Sequence, residues 1–322
     1  MILILTSKQD VHADEVIRKL GQRGSSVFRL NSEDILTKYR FRLGIDSKQD
    51  WFGSCTDQLG RQLDLRALHV AWYRKPSFDF EYEFGLDSES RRFAGAEIRS
   101  FFEALYSLPS VVWINPPHAS DAAKTKFRQL LTAVDCRVRV PRTLITTDSE
   151  VARRFFLDCG EVALVKSIYT ANVTIDGRNQ GVPSMKIGPE EFYALTDQIR
   201  LAPVQFQEYV EKDFELRVTV MEDAVFAVRI DSQSHEETKV DWRMDAKLNG
   251  YSRFELPKHV SSFCVQLLRL QCLKYGAMDF IVTPTGQYVF LENNPFGQYL
   301  WLETETGAPL TDAMCDLLQR YE

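Results

Sequence analysis

Near its C-terminus the chain reads LENNPFGQYLWLE from Leu291 to Glu303, and upstream a lone Asp279 interrupts the apolar run AMDFIV. A Pro284, Thr285, Gly286 turn separates the two segments, so antiparallel pairing would set Asp279 across from the Glu292 end of the returning strand. Glu292 and Asn294 share a strand face because side chains alternate with a period of two. Three oxygen ligands would then converge and leave room for water and phosphate oxygens, which is how Mg2+ is usually held. The competing reading is a strand edge with solvated acids. Phe280, Phe290 and Leu291 weigh against it, since carboxylates among apolar groups need a partner.

Two lysines stand where an ammonium could reach a phosphate. Lys126 lies in a helix after the Asn115, Pro116, Pro117 break, and Lys166 lies inside VALVKS. A lysine in an apolar strand is costly unless it faces an anion, whereas Lys126 taken alone also reads as a surface charge. The segment Gln207, Glu208, Tyr209, Val210, followed by Lys212, Glu215 and Arg217, would link two subdomains. A linking strand can offer backbone groups to an adenine edge while an acid takes ribose hydroxyls; the bland alternative is a plain amphipathic strand.

Other chemistries find little support. There is no G-x-x-x-x-G-K-[ST], G-x-G-x-x-G, G-x-S-x-G or H-E-x-x-H, and His12, His69, His118, His235 and His259 do not cluster. The six cysteines form no C-x-x-C pair, which suits reduced, buried thiols rather than disulfides or zinc. Net charge is −6, which argues against a nonspecific nucleic-acid surface. No apolar run approaches a bilayer span and no signal-peptide pattern opens the chain, so a cytosolic location is expected, with no membrane partner.

The elements that must position these residues follow from hydrophobic patterning. With 322 residues, 44% hydrophobic and 26% charged, the chain can bury a sizeable core. MILIL, a helix over residues 13–23 and VFRL at 27–30 begin a βαβ pattern. Further strands are expected at 67–73 and 111–114, around a helix at 90–105 carrying Phe93, Ile98, Phe101, Phe102 and Leu105. One helix with Lys124, Lys126 and Leu130 follows, then a strand at 141–145. A T-x-x-E capping box at Thr147 to Glu150 should open a helix that Gly160 closes.

A strand at 162–168, a turn-rich loop at 176–181, a helix from Pro189 and a strand at 204–210 complete the middle. The remainder reads antiparallel: 215–221 with 224–231 about a Glu222, Asp223 turn, a helix at 257–274, then 277–283 with 287–292. Three subdomains are expected: 1–117, 118–204 and 205–322.

Taken in order, Lys126, Lys166, the QEYV hinge, Glu215, Arg217, Asp279 and the E-x-N-P of Glu292 to Pro295 resemble the ATP-grasp fold. More narrowly, the chain resembles the MvdD-type peptide maturases, the microviridin or graspetide synthetases. That likeness rests on WYRKP at 72–76, TLITTD at 143–148, IDSQ at 230–233, DWR at 241–243 and LENNPFGQYLWLE. It implies an α/β (α+β) architecture: an N-terminal βαβ pre-ATP-grasp domain, a small central α/β domain and a C-terminal antiparallel-sheet domain.

The resemblance further implies an ADP-forming ligase with ATP and Mg2+. It would join Asp or Glu side chains of a ribosomally made precursor peptide to Thr or Ser hydroxyls or Lys amines. Lys126 and Lys166 would hold phosphates, the hinge from Gln207 to Val210 the adenine and Glu215 the ribose. Asp279, Glu292 and Asn294 would bind the metal, and Arg217 and Arg243 would face the transferred phosphate and the substrate carboxylate. A homodimer would suit the family. The stretch from Ser167 to Asn172 lacks the glycines of many ATP-grasp phosphate lids. The alternatives are a ligase of the glutathione synthetase or glutamate ligase type, acting on small molecules or protein tails, and a non-catalytic nucleotide binder. YRKP, DWR and GQYLWLE favour the peptide crosslinker over the first, and the complete set of phosphate and metal residues disfavours the second.

Overall fold

The computed structural model describes the chain except Glu81, Glu83, Tyr169 to Ala171, Asp176 and Gly177; for residues 172–175 and 178–181 only the backbone is described. At the N-terminus β1 (Ile2–Thr6), α1 (Val11–Gln22), β2 (Val27–Asn31), β6 (Val70–Tyr73), α2 (Ser88–Tyr106) and β7 (Val112–Ile114) build a parallel sheet of order β2-β1-β6-β7. Every residue of β1 and β6 is buried, because a parallel sheet is covered on both faces and its strands can be continuously apolar. Asp10 caps α1 by accepting from the backbone N–H groups of His12 and Ala13. The strand order reverses between β1 and β6, so their C-terminal ends flank a crevice of the kind where open α/β sheets bind ligands. In α2, Phe93 is 69% exposed, against expectation, whereas Ile98, Phe102 and Leu105 are buried.

Between β2 and β6 the chain forms a separate antiparallel sheet of β3 (Tyr39–Ile45), β4 (Trp51–Asp57) and β5 (Gln62–Asp64), which the sequence reading left unassigned. Past Pro116, the single helix expected around Lys126 is two: α3 (Pro117–Ala123) and α4 (Lys126–Asp135), broken at Lys124 and Thr125.

The central sheet has order β12-β9-β13-β8, from β8 (Thr143–Thr146), β9 (Ala163–Lys166), β12 (Met185–Ile187) and β13 (Val204–Glu208), covered by α5 (Ser149–Asp158) and α6 (Pro189–Leu195). The cap of α5 is Asp148 rather than Thr147: its carboxylate accepts from Glu150 N and Val151 N, one residue later than the capping-box reading. Gly160 follows with a left-handed φ of 75°, closing the helix as expected. The expected loop at 176–181 is largely strand, since β10 (Asn172–Ile175) pairs with β11 (Arg178–Gly181); its turn and the centre of the lid stretch lie outside the described residues.

The C-terminal sheet is antiparallel, order β16-β15-β14-β17-β18: β14 (Phe214–Met221), β15 (Ala224–Ile230), β16 (Tyr251–Phe254), β17 (Tyr275–Val282) and β18 (Tyr288–Asn294). Helix α7 (Lys258–Leu270) buries Val260, Phe263 and Leu267 against Leu216, Val218, Met278, Phe280 and Phe290. Helices α8 (Leu300–Thr306) and α9 (Leu310–Gln319) return to the N-terminal unit, where Leu310, Met314 and Cys315 join Val16 and Leu20 in one core. Trp301 packs on Trp242 and Tyr251, and Tyr299 is fully buried on His12, so these rings belong to the core. All six cysteines are free, and no described helix is long and apolar enough to cross a membrane.

Candidate functional site

The expected hairpin forms, and its register carries the chemistry. Asp279 on β17 lies opposite Glu292 on β18 and, on its other side, opposite Arg217 on β14; a bulge follows Asp279. Arg217 Nη1 donates to Asp279 Oδ1 at 2.8 Å, while Asp279 Oδ2 is buried with no partner. Glu292 Oε1 stands 3.3 Å from Arg243 Nη1, and Oε2 3.6 Å from Lys126 Nζ.

Distant elements hold these cations in place. The Gln129 side chain grips β18, donating to Asn293 O and accepting from Asn293 N, each at 2.7 Å. Lys126 is three residues earlier on the same helix and therefore on the same side, which brings its ammonium to Glu292. Asp241 opens a short turn of 3-10 helix and accepts from Arg243 N at 3.1 Å and Arg243 Nε at 2.9 Å, fixing the guanidinium.

Burial pushes the Glu292 carboxyl upward, but Arg243, Lys126, Lys166 and Arg217 together outweigh it and hold the group at about 2, so it stays ionised. Lys166, at the end of β9, is lowered to about 8: burial disfavours its charge, Glu292 opposes, and Lys126 and Arg243 repel it. Below that value the lysine is charged and can hold a phosphate; above it the free enzyme loses that charge. ATP affinity, measured by calorimetry, is therefore expected to fall as pH rises through about 8, with proton uptake on binding there. The Lys166→Met variant should bind more weakly and show no such step.

Asn294 sits two residues beyond Glu292 on the same strand face, exposed, and its Oδ1 accepts from Phe296 N at 2.9 Å. That oxygen keeps a second lone pair. Among the described residues no three His, Cys, Asp or Glu side chains gather as a metal site; the expected set is two carboxylates and one amide. It fits a hard cation because Asp279 Oδ2 is an orphaned buried anion beside Glu292.

A cleft runs from this cluster between the central and C-terminal sheets. Leu164, Ile281 and Leu291 give it apolar walls suited to a planar base, Lys166 and Arg243 stand in its lining, and residues 207–210 form one edge. The Glu208 N–H is already bonded to Arg142 O at 2.9 Å, and the Glu208 carboxylate accepts from Arg142 N at 3.1 Å. Tyr209 and Val210 make no backbone hydrogen bond among the described residues, so their N–H and C=O groups could meet the edge of a planar base. The Gln207 amide donates to Thr143 Oγ1, and its Oε1 is buried and unpartnered. Glu215 lines the cleft but accepts from Lys212 Nζ at 2.7 Å; burial raises its pKa and Lys212 opposes that rise. Lys212 is thus more than a hinge residue: it is the partner of the buried Glu215, three residues on.

Gly297 is glycine because its neighbours leave no room for a side chain. A Cβ there would come 2.2 Å from Ala277 Cβ and 2.9 Å from Arg217 Nη2. The residue leaves the space in which Arg217 reaches Asp279, while Gln298 is exposed. The loop above is pinned by Asn115 Nδ2 to Pro295 O at 3.1 Å and Arg74 Nη1 to Phe296 O at 2.7 Å. Gly297→Ala is expected to cost about 1–3 kcal/mol in chemical denaturation and to lower turnover beyond what the lost stability explains, because Arg217 must shift.

Residues 1–121 match the family model of the MvdD pre-ATP grasp domain. No curated protein sequence matches. Among solved structures, the Chryseobacterium gregarium RiPP-associated ATP-grasp ligase, in complex with ADP and a leader and core peptide, is similar at 27% identity. It covers 100% of this chain and 97% of its own, with a TM-score of 0.91. The macrocyclase MdnC of Microcystis aeruginosa MRC, bound with precursor peptide MdnA, is 25% identical over 99% of both chains, with a TM-score of 0.86. The ATP-grasp ligase PsnB, complexed with a phosphomimetic variant of minimal precursor, Mg and ADP, shares the fold at 24% identity, covering 99% of this chain and 98% of its own, TM-score 0.78.

Proposed function

We propose that this chain is an ATP-grasp ligase of the MvdD type that crosslinks a ribosomally made precursor peptide through acyl-phosphate activation of Asp or Glu side chains. The observation that carries the reading is the opposed row Arg217, Asp279, Glu292, ringed by Lys126, Lys166 and Arg243 at the end of a cleft with apolar walls.

A carboxylate is a poor electrophile and oxide a poor leaving group; phosphorylation cures both. Leu164, Ile281 and Leu291 would flank the base of ATP, Tyr209 and Val210 would meet its adenine edge, and Glu215 with Lys212 would take its ribose. Lys126 and Lys166 take the phosphates. Asp279, Glu292 and Asn294 would hold Mg2+, which supplies charge neutralisation on the phosphate oxygens. Arg217 and Arg243 offer planar forks that orient the substrate carboxylate and the phosphoryl group. The carboxylate oxygen attacks the γ-phosphorus, the bond to the bridging oxygen breaks, and ADP leaves. A hydroxyl or amine of the same peptide then attacks the acyl carbon, loses its proton, and expels phosphate to leave an ester or amide. Holding both partners on one bound peptide supplies much of the rate. Omega-esters of the microviridin kind are one product class, and amides the other.

We keep the three-part division at residues 117 and 204, a cytoplasmic setting consistent with the free thiols, a homodimer, and no role for nucleic acid or membrane. A small-molecule or protein-tail ligase is less favoured, because the Chryseobacterium gregarium ligase and MdnC, at 27% and 25% identity, hold leader and core or precursor peptides. Hydroxylamine tests the activation step. With ATP, Mg2+ and a precursor whose Thr, Ser and Lys acceptors are replaced, a hydroxamate on an acidic side chain is expected. Hydroxamate on free amino acids but none on the peptide would support the small-molecule reading instead.

A further inference from the structure

Lys75 is absorbed by none of these roles, yet it stands in an unusual place. It follows β6 at the crevice where the N-terminal sheet reverses its strand order, and it holds a left-handed φ of 46°. A residue with a β-carbon adopts that conformation at a cost of roughly 1–3 kcal/mol, and such residues cluster where a side chain must be aimed. Among the described residues its ammonium forms no ion pair or hydrogen bond.

Its neighbour Arg74 explains the aim. Arg74 is 2% exposed, its Nη1 donates to Phe296 O at 2.7 Å, and its Nε lies 3.4 Å from Asp10 Oδ2. Asp10 is itself held by Thr6 Oγ1 at 2.8 Å and by the cap of α1. Arg74 Nη2 is buried with no partner, so the pair carries more positive charge than Asp10 offsets. Phe296 precedes Gly297, the residue that packs on Arg217 Nη2. Arg74 therefore ties the end of β6 to the same loop that roofs the catalytic arginine. Lys75 feels the charges of Arg74, Asp10 and Arg217, and its ammonium lies below the usual lysine range, first through burial and then through Arg74.

Resting on the peptide reading above, we propose that Lys75 is a specificity residue: its ammonium takes a second acidic side chain of the precursor, next to the carboxylate that Arg217 and Arg243 present for phosphorylation. Arg74 is the positioning residue that fixes it. The N-terminal domain would thereby select acids flanking the reacting one, and so influence which carboxylate is presented.

The test is binding, read without turnover. Fluorescence anisotropy would follow the labelled acidic precursor peptide encoded beside the gene, with ADP and Mg2+ present, on the full chain and on Lys75→Gln. Lys75 makes no hydrogen bond or ion pair among the described residues, so the variant is expected to fold; Lys75→Gly, which suits the left-handed φ, repeats the measurement on a relaxed backbone. Both variants should bind on the order of tenfold more weakly, in the range expected for a charge-assisted contact. Nucleotide affinity should be unchanged, and Lys75→Arg should restore most of the loss. One flanking Glu→Gln version of the peptide should bind wild type and Lys75→Gln alike. Equal affinity of wild type and Lys75→Gln for the unaltered peptide, or equal weakening across all Glu→Gln peptides, would overturn the proposal. A wild-type enzyme that shows the Lys75 dependence but never changes the peptide's mass would instead contradict the ligase reading and leave the subsite standing.

Discussion

Glu292→Gln is expected to reduce ATP turnover in the presence of peptide by on the order of 10³-fold, the scale set by removing one preorganised electrostatic contact at a reacting group. The substitution keeps shape and most hydrogen-bonding capacity but removes the charge on which three cations converge: Lys126 at 3.6 Å, Arg243 at 3.3 Å, and Lys166, whose pKa Glu292 supports. The lost carboxylate is also the only proposed Mg2+ ligand opposed to Asp279 across the β17–β18 pair. Two measurements separate the effects. The thermal unfolding temperature should fall somewhat at neutral pH, because the ionised carboxylate is favoured in the folded state by the surrounding cations, whereas Mg2+ titration of ATPase activity should show a raised metal requirement. Turnover within about tenfold of wild type, well under the loss expected of a direct ligand, would remove Glu292 from the metal site.

Arg217→Lys should be nearly as damaging, on the order of 10²–10³-fold in kcat/KM for the peptide, because an ammonium cannot reproduce two parallel donations to a carboxylate or phosphoryl group. Here stability changes too. Arg217 and Asp279 are both buried, and removing one member of such a pair outright costs roughly 3–5 kcal/mol. Arg217→Met is therefore expected to unfold at distinctly lower denaturant than Arg217→Lys. A loss of peptide turnover in Arg217→Lys with intact nucleotide binding would identify a role in handling the carboxylate. Equal loss of both would identify a role in folding the cleft.

Much of this was legible in the sequence for a physical reason. Strand periodicity and a Pro-Thr-Gly turn suffice to bring Asp279 and Glu292 together, because hairpin register is local. The two lysines stood out because charge inside an apolar pattern needs an anion. What stayed hidden depended on contacts distant in sequence. Gln129 clamping Asn293, Asn115 and Arg74 pinning the loop at 295–296, and Asp241 fixing Arg243 cannot be read from local pattern. The role of Gly297 was hidden for the same reason: its constraint comes from Ala277 and Arg217 on neighbouring strands. The missed sheet at 39–64 is different. Tyr39, Phe41, Leu43 and Ile45 alternate with Arg40, Arg42 and Gly44, a period-two signal that was present and unused. The single helix around Lys126 failed because its break, at Lys124 and Thr125, contains neither proline nor glycine.

The most direct test of the account is the mass of the precursor peptide after incubation with this chain, ATP and Mg2+. The account predicts loss of one water per crosslink, stoichiometric with ADP, and abolished by replacing either the reacting acid or its hydroxyl or amine partner. An unchanged peptide mass, alongside ADP-forming ligation of free amino acids, would contradict it.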